Sequence, residues 1–584
     1  MKDFLKFTFA TVVGIILTCS LLLIVGLVGL AGLISASDTE VKVKEHSVLF
    51  MDMNGTLEER SQDNPLAGYM GEAMKSYGLD DVLTAIRKAK ETDEVEGIYL
   101  QGTAVQASYA SLEEIRAALL DFRSSGKFIV AYGDLYAQNM YYLASVADKV
   151  ILNPQGTLDW KGLVLQPMFF KDLLAKLGVE MQIFKVGTYK SAVEPYVNTE
   201  MSEANREQVT AFLASIWERV TADVSASRGI SVDSLQALAD LPLTFCPAED
   251  LVACGMVDTL LYKDGVRNYL KQRLEVDEDD EIRTVSIQEM ARVKRQEPKD
   301  KSGKVLAVYY AYGEIDGMET GEGIVSDKVV RDLRRLREDE DVKAVVLRVN
   351  SPGGSAFGSE QIWNEVRLLK AQKPVVVSMG DYAASGGYYI SCVADSIVAE
   401  PTTLTGSIGI FGMVPNVTGL TDKLGLDFDV VKTNAHADFG AMGRGMSSDE
   451  RMIMQQYINR GYELFVKRCA DGRNMTTEAI KRVAEGRVWT GVMAKELGLV
   501  DELGGLDRAI EIAAGKAGLE HYTRLDYPEK TDFLSSLFDQ KVDGYIQGRL
   551  QECFGGYYRG FHLIRSLGAQ DHVQARMPAD FEIR

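Results

Sequence analysis

The sequence predicts an α/β protein that contains the same domain plan twice. Residues 132–162 align with residues 379–409 without a gap, 247 positions apart, and both stretches contain a Gly-Asp pair, a Tyr-Tyr pair and a Val-Ala-Asp triplet. Each half also has short apolar runs without alternation, which are typical of strands buried on both faces of a parallel sheet. Helical segments separate these runs, as connections between parallel strands require. The chain is therefore an internal duplication of a parallel α/β unit.

The predicted elements follow the same order in both halves. In the second half, strands are expected over 305–310, 344–349, 375–378 and 397–399, with helices over 329–336 and 359–369. In the first half, strands are expected over 48–53, 97–101, 128–132 and 149–153.

A longer helix should begin after Ser447, because Ser447 and Glu450 form a capping box ahead of apolar residues at helical spacing. We expect this apolar face to lie in the core; it contains Met452, Met454, Tyr457, Ile458, Phe465 and Val466.

The N-terminal segment differs from the repeats. Residues 7–34 carry no charge, and these 28 residues exceed the roughly 20 that span the hydrocarbon core of a membrane. We therefore expect a transmembrane helix within an anchor over residues 1–37. Cleavage of a signal peptide near residues 35–37 is the alternative.

Three further regions follow the anchor: a first repeat over 38–290, a second repeat over 291–525 and a helical tail over 526–584. The tail has apolar residues at helical intervals between Phe533 and Leu550. The sequence leaves open whether this apolar face packs on its own domain, on another subunit or on a membrane surface.

Composition excludes several classes of function. The chain has 64 basic and 84 acidic residues and a formal net charge of -20, which argues against nucleic acid as a partner. The six cysteines form no C-x-x-C pair, so the sequence indicates neither a zinc site nor a disulfide framework, although a bridge between Cys246 and Cys254 stays open. We expect no metal and no cofactor.

The chain has five histidines, and no metalloprotease, P-loop, dinucleotide-binding or G-x-S-x-G motif occurs in a suitable setting. Ser351-Pro352-Gly353-Gly354 directly follows a predicted strand, at the sheet edge where α/β proteins bind ligands. The backbone N–H groups of Gly353 and Gly354 can face a substrate carbonyl, as an oxyanion hole requires. The first half lacks this turn. These features favour a serine that is activated by a group other than histidine.

Two serines and two bases are candidates for the chemistry. Ser407 lies between two glycines, and Ser385 opens a predicted helix, where capping is its ordinary role. Lys190 is a candidate base if burial lowers its pKa from about 10.4 toward neutrality. His436 is the competing base. The spacing of these residues does not decide between them.

Five motifs carry a resemblance to a known family: Ser351–Gly354, Ala384–Tyr389, Leu404–Gly409, Tyr189–Pro195 and Gly486–Gly491. With them, the chain resembles the long, duplicated form of the signal peptide peptidase A family, the bacterial protease IV family (peptidase family S49). The resemblance covers nearly the whole chain and includes the N-terminal apolar segment.

The resemblance implies a crotonase-like (ClpP-like) fold in each half and a serine-lysine dyad, with Ser407 as nucleophile and Lys190 as general base. It also implies a homotetramer that is anchored by one helix in the bacterial cytoplasmic membrane, with its catalytic body on the periplasmic side. The implied substrates are apolar peptides, the remnants of cleaved signal peptides.

On this interpretation, backbone N–H groups of Gly353, Gly354 and Ser407 would hold the oxyanion of an acyl-transfer reaction. Because Lys190 and Ser407 come from different halves, the site should lie where the two copies meet. Two alternatives are a crotonase-type enzyme acting on acyl-thioesters and a catalytically silent membrane scaffold.

Overall fold

The computed structural model describes residues 41–61, 76–277, 279–293, 302–317, 323–530 and 573–577, together with six isolated residues between Lys6 and Leu21. The predicted transmembrane helix lies almost entirely outside the described residues, and so does the apolar part of the tail. Along the described ranges, no helix is both long and apolar enough to cross a membrane.

The first repeat is built on a parallel sheet. Its strands are β1 (Ser47–Asp52), β2 (Gly55–Glu58), β3 (Ser76–Gly78), β4 (Val95–Gln101), β5 (Val105–Gln106), β6 (Phe128–Tyr136), β7 (Lys149–Leu158), β8 (Glu180–Lys185), β9 (Thr259–Leu260) and β10 (Arg283–Ser286). Six of them form a parallel sheet in the order β10-β1-β4-β6-β7-β9, and β2, β3 and β5 form a smaller one. Consecutive residues along β6 are buried, as expected for a strand covered on both faces.

Helices cover both faces of this sheet. They are α1 (Leu79–Glu91), α2 (Tyr109–Arg123), α3 (Gln138–Ala144), α4 (Lys171–Leu177), α5 (Glu194–Val197), α6 (Glu203–Arg228), α7 (Val232–Ala239), α8 (Ala248–Ala253), α9 (Lys263–Arg273) and α10 (Ile287–Arg292). A short 3-10 helix spans Leu243–Phe245.

The second repeat has the same plan. Its strands are β11 (Val305–Tyr312), β12 (Val342–Ser351), β13 (Gly353–Ser355), β14 (Val375–Ala384), β15 (Ser396–Ala399), β16 (Leu404–Gly406), β17 (Phe411–Asn416), β18 (Val488–Thr490), β19 (Glu502–Leu503) and β20 (Thr523–Tyr527). The main sheet runs β18-β16-β14-β12-β11-β20, and β15 and β19 extend it beside β14. Its helices are α11 (Ser326–Glu338), α12 (Ala356–Lys370), α13 (Gly386–Ser391), α14 (Thr418–Leu424), α15 (Ser448–Arg473), α16 (Thr477–Val483), α17 (Gly491–Glu496) and α18 (Leu506–Lys516).

The predicted duplication is confirmed. Three helices of the first repeat recur 247 residues later with the same length: α1 as α11, α2 as α12 and α4 as α14. The predicted α/β class and the predicted strands of both halves are confirmed, although most strands are longer than expected.

The long helix α15 is partly as predicted. The capping box between Ser447 and Glu450 is present. Met454, Ile458, Phe465 and Val466 are buried, as expected. The prediction is wrong for Met452 and Tyr457, which are 55% and 50% exposed because they lie on the two sides of the buried stripe of the helix.

A buried polar network joins the two repeats. Arg348 on β12 is 1% exposed and pairs with Glu59 at 2.6 Å and with Glu114 on α2 at 2.5 Å. The Ser111 hydroxyl on the same helix donates to Asp381 on β14 at 2.7 Å. Helix α2 of the first repeat is therefore fixed against the sheet of the second.

A four-stranded sheet also contains strands from both repeats. Its order is β13-β21-β17-β8, where β21 (Val573–Arg576) belongs to the tail and β8 belongs to the first repeat. Strand β21 runs antiparallel to both neighbours, with Gly353 opposite Arg576 and Phe411 opposite Gln574. The tail was predicted to be helical, but this described part of it is a strand because it completes a sheet between β13 and β17.

Candidate active site

Lys190 lies at the centre of a cluster drawn from both repeats. Its side chain is fully buried, and its Nζ lies 2.8 Å from Ser385 Oγ and 3.0 Å from both the hydroxyl and the carbonyl oxygen of Ser407. The structure thus brings Lys190 together with both candidate serines, within a single chain and where the copies meet.

Two glycines make room for this lysine. A Cβ on Gly486 would lie 2.6 Å from Lys190 Cβ, and a Cβ on Gly409 would lie 3.3 Å from Lys190 Cδ. Gly486 also has a φ of +79°, which side-chain-bearing residues rarely adopt. The glycines let the loop of the first repeat pack directly against the second.

Burial lowers the pKa of the Lys190 amine well below its usual value. The shift arises from the loss of hydration, which disfavours the charged form. A neutral amine keeps a lone pair on Nζ, which can accept a proton, and this is what a general base needs.

A neutral Lys190 amine must divide its hydrogen bonds between the two serines. Its amine has two N–H donors and one lone pair, and it faces three oxygens. The Ser407 carbonyl can accept only, so it takes one N–H. The second N–H and the lone pair are left for the two hydroxyls. One serine therefore donates its proton to Nζ, and the other accepts from it.

Ser385 lies at a strained connection beside the predicted oxyanion turn. It connects β14 to α13 with φ 55° and ψ -111°, a strained conformation for a residue with a side chain, and its N–H donates to the Gly406 carbonyl at 2.8 Å. The next residue, Gly386, lies against Gly353: a Cβ on Gly353 would be 2.8 Å from the Gly386 nitrogen. Ser385 thus adjoins the predicted oxyanion turn.

Ser407 also has a positive φ, +50°, but the partner of its backbone N–H is different. Its backbone N–H donates to the Arg487 carbonyl at 2.7 Å, so that N–H is not free to bind an oxyanion. This corrects the expectation that the Ser407 N–H contributes to the oxyanion hole. Together with the contact from its carbonyl to Lys190, the bond fixes Ser407 beside the lysine.

The predicted turn at Gly353 and Gly354 faces strand β21 of the same chain. Both residues have positive φ, +103° and +153°, and strand β21 lies opposite them. A Cβ on Gly353 would lie 2.1 Å from the Ala575 carbonyl oxygen, and a Cβ on Gly386 would lie 3.0 Å from it. In this structure the Gly353 N–H donates to Ser351 Oγ at 3.1 Å.

Gly386, which lies next to the Ala575 carbonyl oxygen, was not among the site residues predicted from the sequence. A signal was present: the first repeat has Asn139 where the second has Gly386, and a glycine at the start of a helix needs a packing reason.

His436 is not part of the cluster. Its ring is half exposed and lies 3.9 Å from Glu450, at the start of α15. Of the two candidate bases, Lys190 is the one that lies beside the serines.

The equivalent site in the first repeat is filled by larger side chains. Gln138 occupies the position of Ser385, and Trp160 occupies the position of Ser407. Trp160 is 1% exposed and donates to the Leu235 carbonyl at 3.0 Å. The first repeat supplies the lysine, while its own pocket is packed as core.

In the described part of the chain, no group of three or more His, Cys, Asp or Glu side chains could hold a metal ion. Cys246 and Cys254, which a bridge could have joined, are free thiols.

Family models match both repeats. The model of peptidase family S49 matches residues 121–277 and 367–520, which together are more than half of the chain. The model of the Clp protease family matches residues 304–401, the range that contains β12, β13 and β14.

Similar proteins extend over most of the sequence. "Protease 4" of Salmonella typhi is 38% identical over 523 residues, covering 86% of this chain and 84% of that protein. "Protease 4" of Haemophilus influenzae is 34% identical, covering 83% and 82%. "Serine protease SPPA, chloroplastic" of Arabidopsis thaliana is 31% identical, covering 92% and 78%. The chain belongs to peptidase family S49, in the long form with two repeats, and is a serine protease.

Proposed function

We propose that this protease uses Ser385 as its nucleophile and Lys190 as its general base, and that Ser407 holds the lysine in place. The proposal keeps the serine-lysine dyad expected from the sequence but exchanges the roles of the two serines. The observation that carries it is the position of Ser385 between the buried amine and the glycines that face the Ala575 carbonyl.

The reaction follows from this arrangement. Lys190 Nζ accepts the proton of Ser385 Oγ while Oγ forms a bond to the peptide carbonyl carbon. Backbone N–H groups of Gly386 and of the turn at Gly353 and Gly354 stabilise the oxyanion, and the Gly353 N–H exchanges its hydrogen bond to Ser351 Oγ for one to the oxyanion. The peptide C–N bond then breaks, and the protonated lysine returns its proton to the leaving amine. Water, deprotonated by the same lysine, adds to the acyl-enzyme ester, and the lysine returns this proton to Ser385 Oγ as the acyl–oxygen bond breaks.

The position of strand β21 supports a substrate cleft between β13 and β17. An extended peptide there would add one strand to both neighbours, a common mode of peptide recognition. Ala575 and Met577 are buried in this cleft, at 0% and 2% exposure, which supports small and apolar side chains in a substrate.

We further propose that the substrates are apolar peptides such as released signal peptides, and that the protease works at the bacterial cytoplasmic membrane as a homotetramer with its catalytic body on the periplasmic side. The uncharged segment over 7–34 and the motif resemblance to signal peptide peptidase A support this. A chain that lacks residues 1–37 should leave the membrane fraction while keeping its activity on soluble peptides; a deleted chain that stays with the membrane would contradict the anchor.

Three variants of the full chain test the chemistry with an apolar peptide as substrate. Ser385→Ala and Lys190→Met should each reduce turnover to background. Ser407→Ala should retain measurable turnover, reduced about tenfold to hundredfold because the lysine is less well positioned. A fully active Ser385→Ala variant would overturn the assignment, and a Ser407→Ala variant without activity, beside an active Ser385→Ala, would restore Ser407 as nucleophile.

A further inference from the structure

We propose that Gln208 on α6 is a positioning residue that holds Lys190 at its distance from the two serines. This inference rests on the proposed function, because it concerns the same lysine. Gln208 is 1% exposed, and its side-chain amide contacts backbone groups of both repeats. It touches neither reacting atoms nor the substrate cleft, so its effect must pass through the residues that it holds.

One end of the amide holds the lysine loop. Nε2 of Gln208 donates to the Tyr189 carbonyl and to the Ser191 hydroxyl, each at 3.0 Å. These residues lie directly before and after Lys190. The Ser191 hydroxyl in turn donates to Asn205 Oδ1 at 2.8 Å, so the loop is fixed on both sides of the lysine.

The other end holds the strand beside Ser407. Oε1 of Gln208 accepts from the Val488 N–H at 3.1 Å, and Val488 begins β18. The preceding residue, Arg487, accepts the Ser407 N–H. Gln208 therefore joins the backbone next to the base to the backbone that fixes Ser407.

The orientation of this amide is determined by its partners. The Val488 N–H can only donate and the Tyr189 carbonyl can only accept, so the oxygen must face Val488 and the nitrogen must face Tyr189. A glutamine supplies both functions without charge. Glutamate in this place could add a negative charge near Lys190, which would favour the protonated amine and oppose its role as a base.

The charged groups around the lysine loop belong to three elements. Glu194 at the start of α5 accepts hydrogen bonds from Ser202 and Asn205. Glu207 on α6 pairs with Arg487 at 2.9 Å. Glu485 accepts the Thr188 N–H at 3.3 Å. These groups are shared by the parent and the Gln208 variants, so they do not alter the comparison between them.

The test compares Gln208→Met and Gln208→Glu with Gln138→Met in the full chain. Gln138 is a matched control: it is a buried glutamine whose amide also bonds backbone groups, but it lies in the packed pocket of the first repeat. For each variant, kcat, KM, the pH dependence of turnover and the melting temperature are measured on an apolar peptide.

Gln208→Met should lower kcat about tenfold to hundredfold with little change in KM, because the lysine is misplaced while the cleft is intact. The acidic limb of its pH profile should move to higher pH, because a loosened lysine gains water and titrates nearer its usual pKa. In Gln208→Glu the added carboxylate should move the same limb in the same direction. Gln138→Met should lower the melting temperature and leave the pH profile unchanged.

The inference is overturned if both Gln208 variants keep the parent's kcat and acidic limb, or if Gln138→Met shifts the limb equally. Ser385→Ala and Lys190→Met, assayed in parallel, separate this result from failure of the proposed function. If those two variants are inactive while the Gln208 variants behave like the parent, the dyad stands and only the role of Gln208 is wrong. If those two variants are active, the dyad itself is wrong.

Discussion

The Lys190 amine lies 2.8 Å from the Ser385 hydroxyl, although 195 residues separate them in the chain. The lysine comes from the first repeat and the serine from the second, and each repeat lacks the group that the other supplies. This relationship makes the proposed active site a property of the duplication.

Replacing Lys190 with methionine should change how stability depends on pH. Burial depresses the folded-state pKa, whereas the unfolded chain titrates near 10.5. Between these two pKa values the unfolded state binds more protons, so the stability of the parent rises with pH and the penalty of the buried lysine disappears above the unfolded pKa. Lys190→Met lacks this penalty.

The free energy of unfolding of Lys190→Met minus that of the parent should therefore be largest below the folded-state pKa and should decrease as the pH rises toward 10.5. Denaturant titrations at a series of pH values measure it. A difference that is constant with pH would show that the lysine is charged in the folded protein.

Gly486→Ala should abolish activity by displacing the lysine. The added Cβ would lie 2.6 Å from Lys190 Cβ. Gly425→Ala is the matched control, since Gly425 has a similar φ of +69° but has no neighbouring atom within 4 Å of the added Cβ. Both variants should lose about 1 kcal/mol from the backbone conformation. If Gly425→Ala also loses activity, destabilisation alone explains the loss of activity in Gly486→Ala.

Removing strand β21 should improve the binding of peptide substrates. If the cleft between β13 and β17 binds substrate, Val573–Arg576 competes with it as a tethered strand. A chain that ends at residue 572 should have an unchanged kcat and a lower KM. If the strand fills the cleft about 90% of the time, KM should fall about tenfold.

A full-length Ala575→Asp variant should show the same fall in KM, because it places a carboxylate at a fully buried position. The free peptide acetyl-Val-Gln-Ala-Arg-Met-amide should inhibit the shortened chain competitively. An unchanged KM in both altered chains would place the substrate elsewhere.

Arg348→Met should destabilise the contact between the repeats. It would leave Glu59 and Glu114 buried without their shared partner, and breaking such a pair costs about 3 to 5 kcal/mol. Arg508→Met removes an exposed pair with Glu511 and should cost less than about 1 kcal/mol. Denaturant unfolding of both variants makes the comparison; equal effects would show that the buried network contributes little.

Much of the fold was predictable because it is encoded locally. Buried strands such as β6 and β14 begin with short apolar runs, and the two copies support each other's register. The N-terminus of α15 was predictable because a capping box involves residues only three positions apart.

The candidate site was predictable in its members but not in its geometry. Ser385 was a candidate as a serine that opens a predicted helix, and comparison of the copies pointed to Lys190, Ser407 and the turn at Gly353. It could not rank the serines, because their roles depend on which N–H groups lie nearby after folding. Arg487, which engages the Ser407 N–H, is 80 positions away in sequence.

Two features had weak or no sequence signals. Strand β21 depends on partners more than 150 residues away, and the helical spacing of the apolar residues before it favoured a helix. Gln208 lies among polar residues of α6, where nothing in the local pattern distinguishes it from a surface residue.

Covalent labelling of the full chain with a serine-reactive phosphonate, with the adduct mapped by mass spectrometry, identifies the nucleophile without an activity assay. We expect the adduct on the peptide that contains Ser385, no labelling in Ser385→Ala and strongly reduced labelling in Lys190→Met. Ser407→Ala should still be labelled at Ser385. An adduct on Ser407 in the parent chain, retained in Ser385→Ala, would show that Ser407 and not Ser385 is the nucleophile.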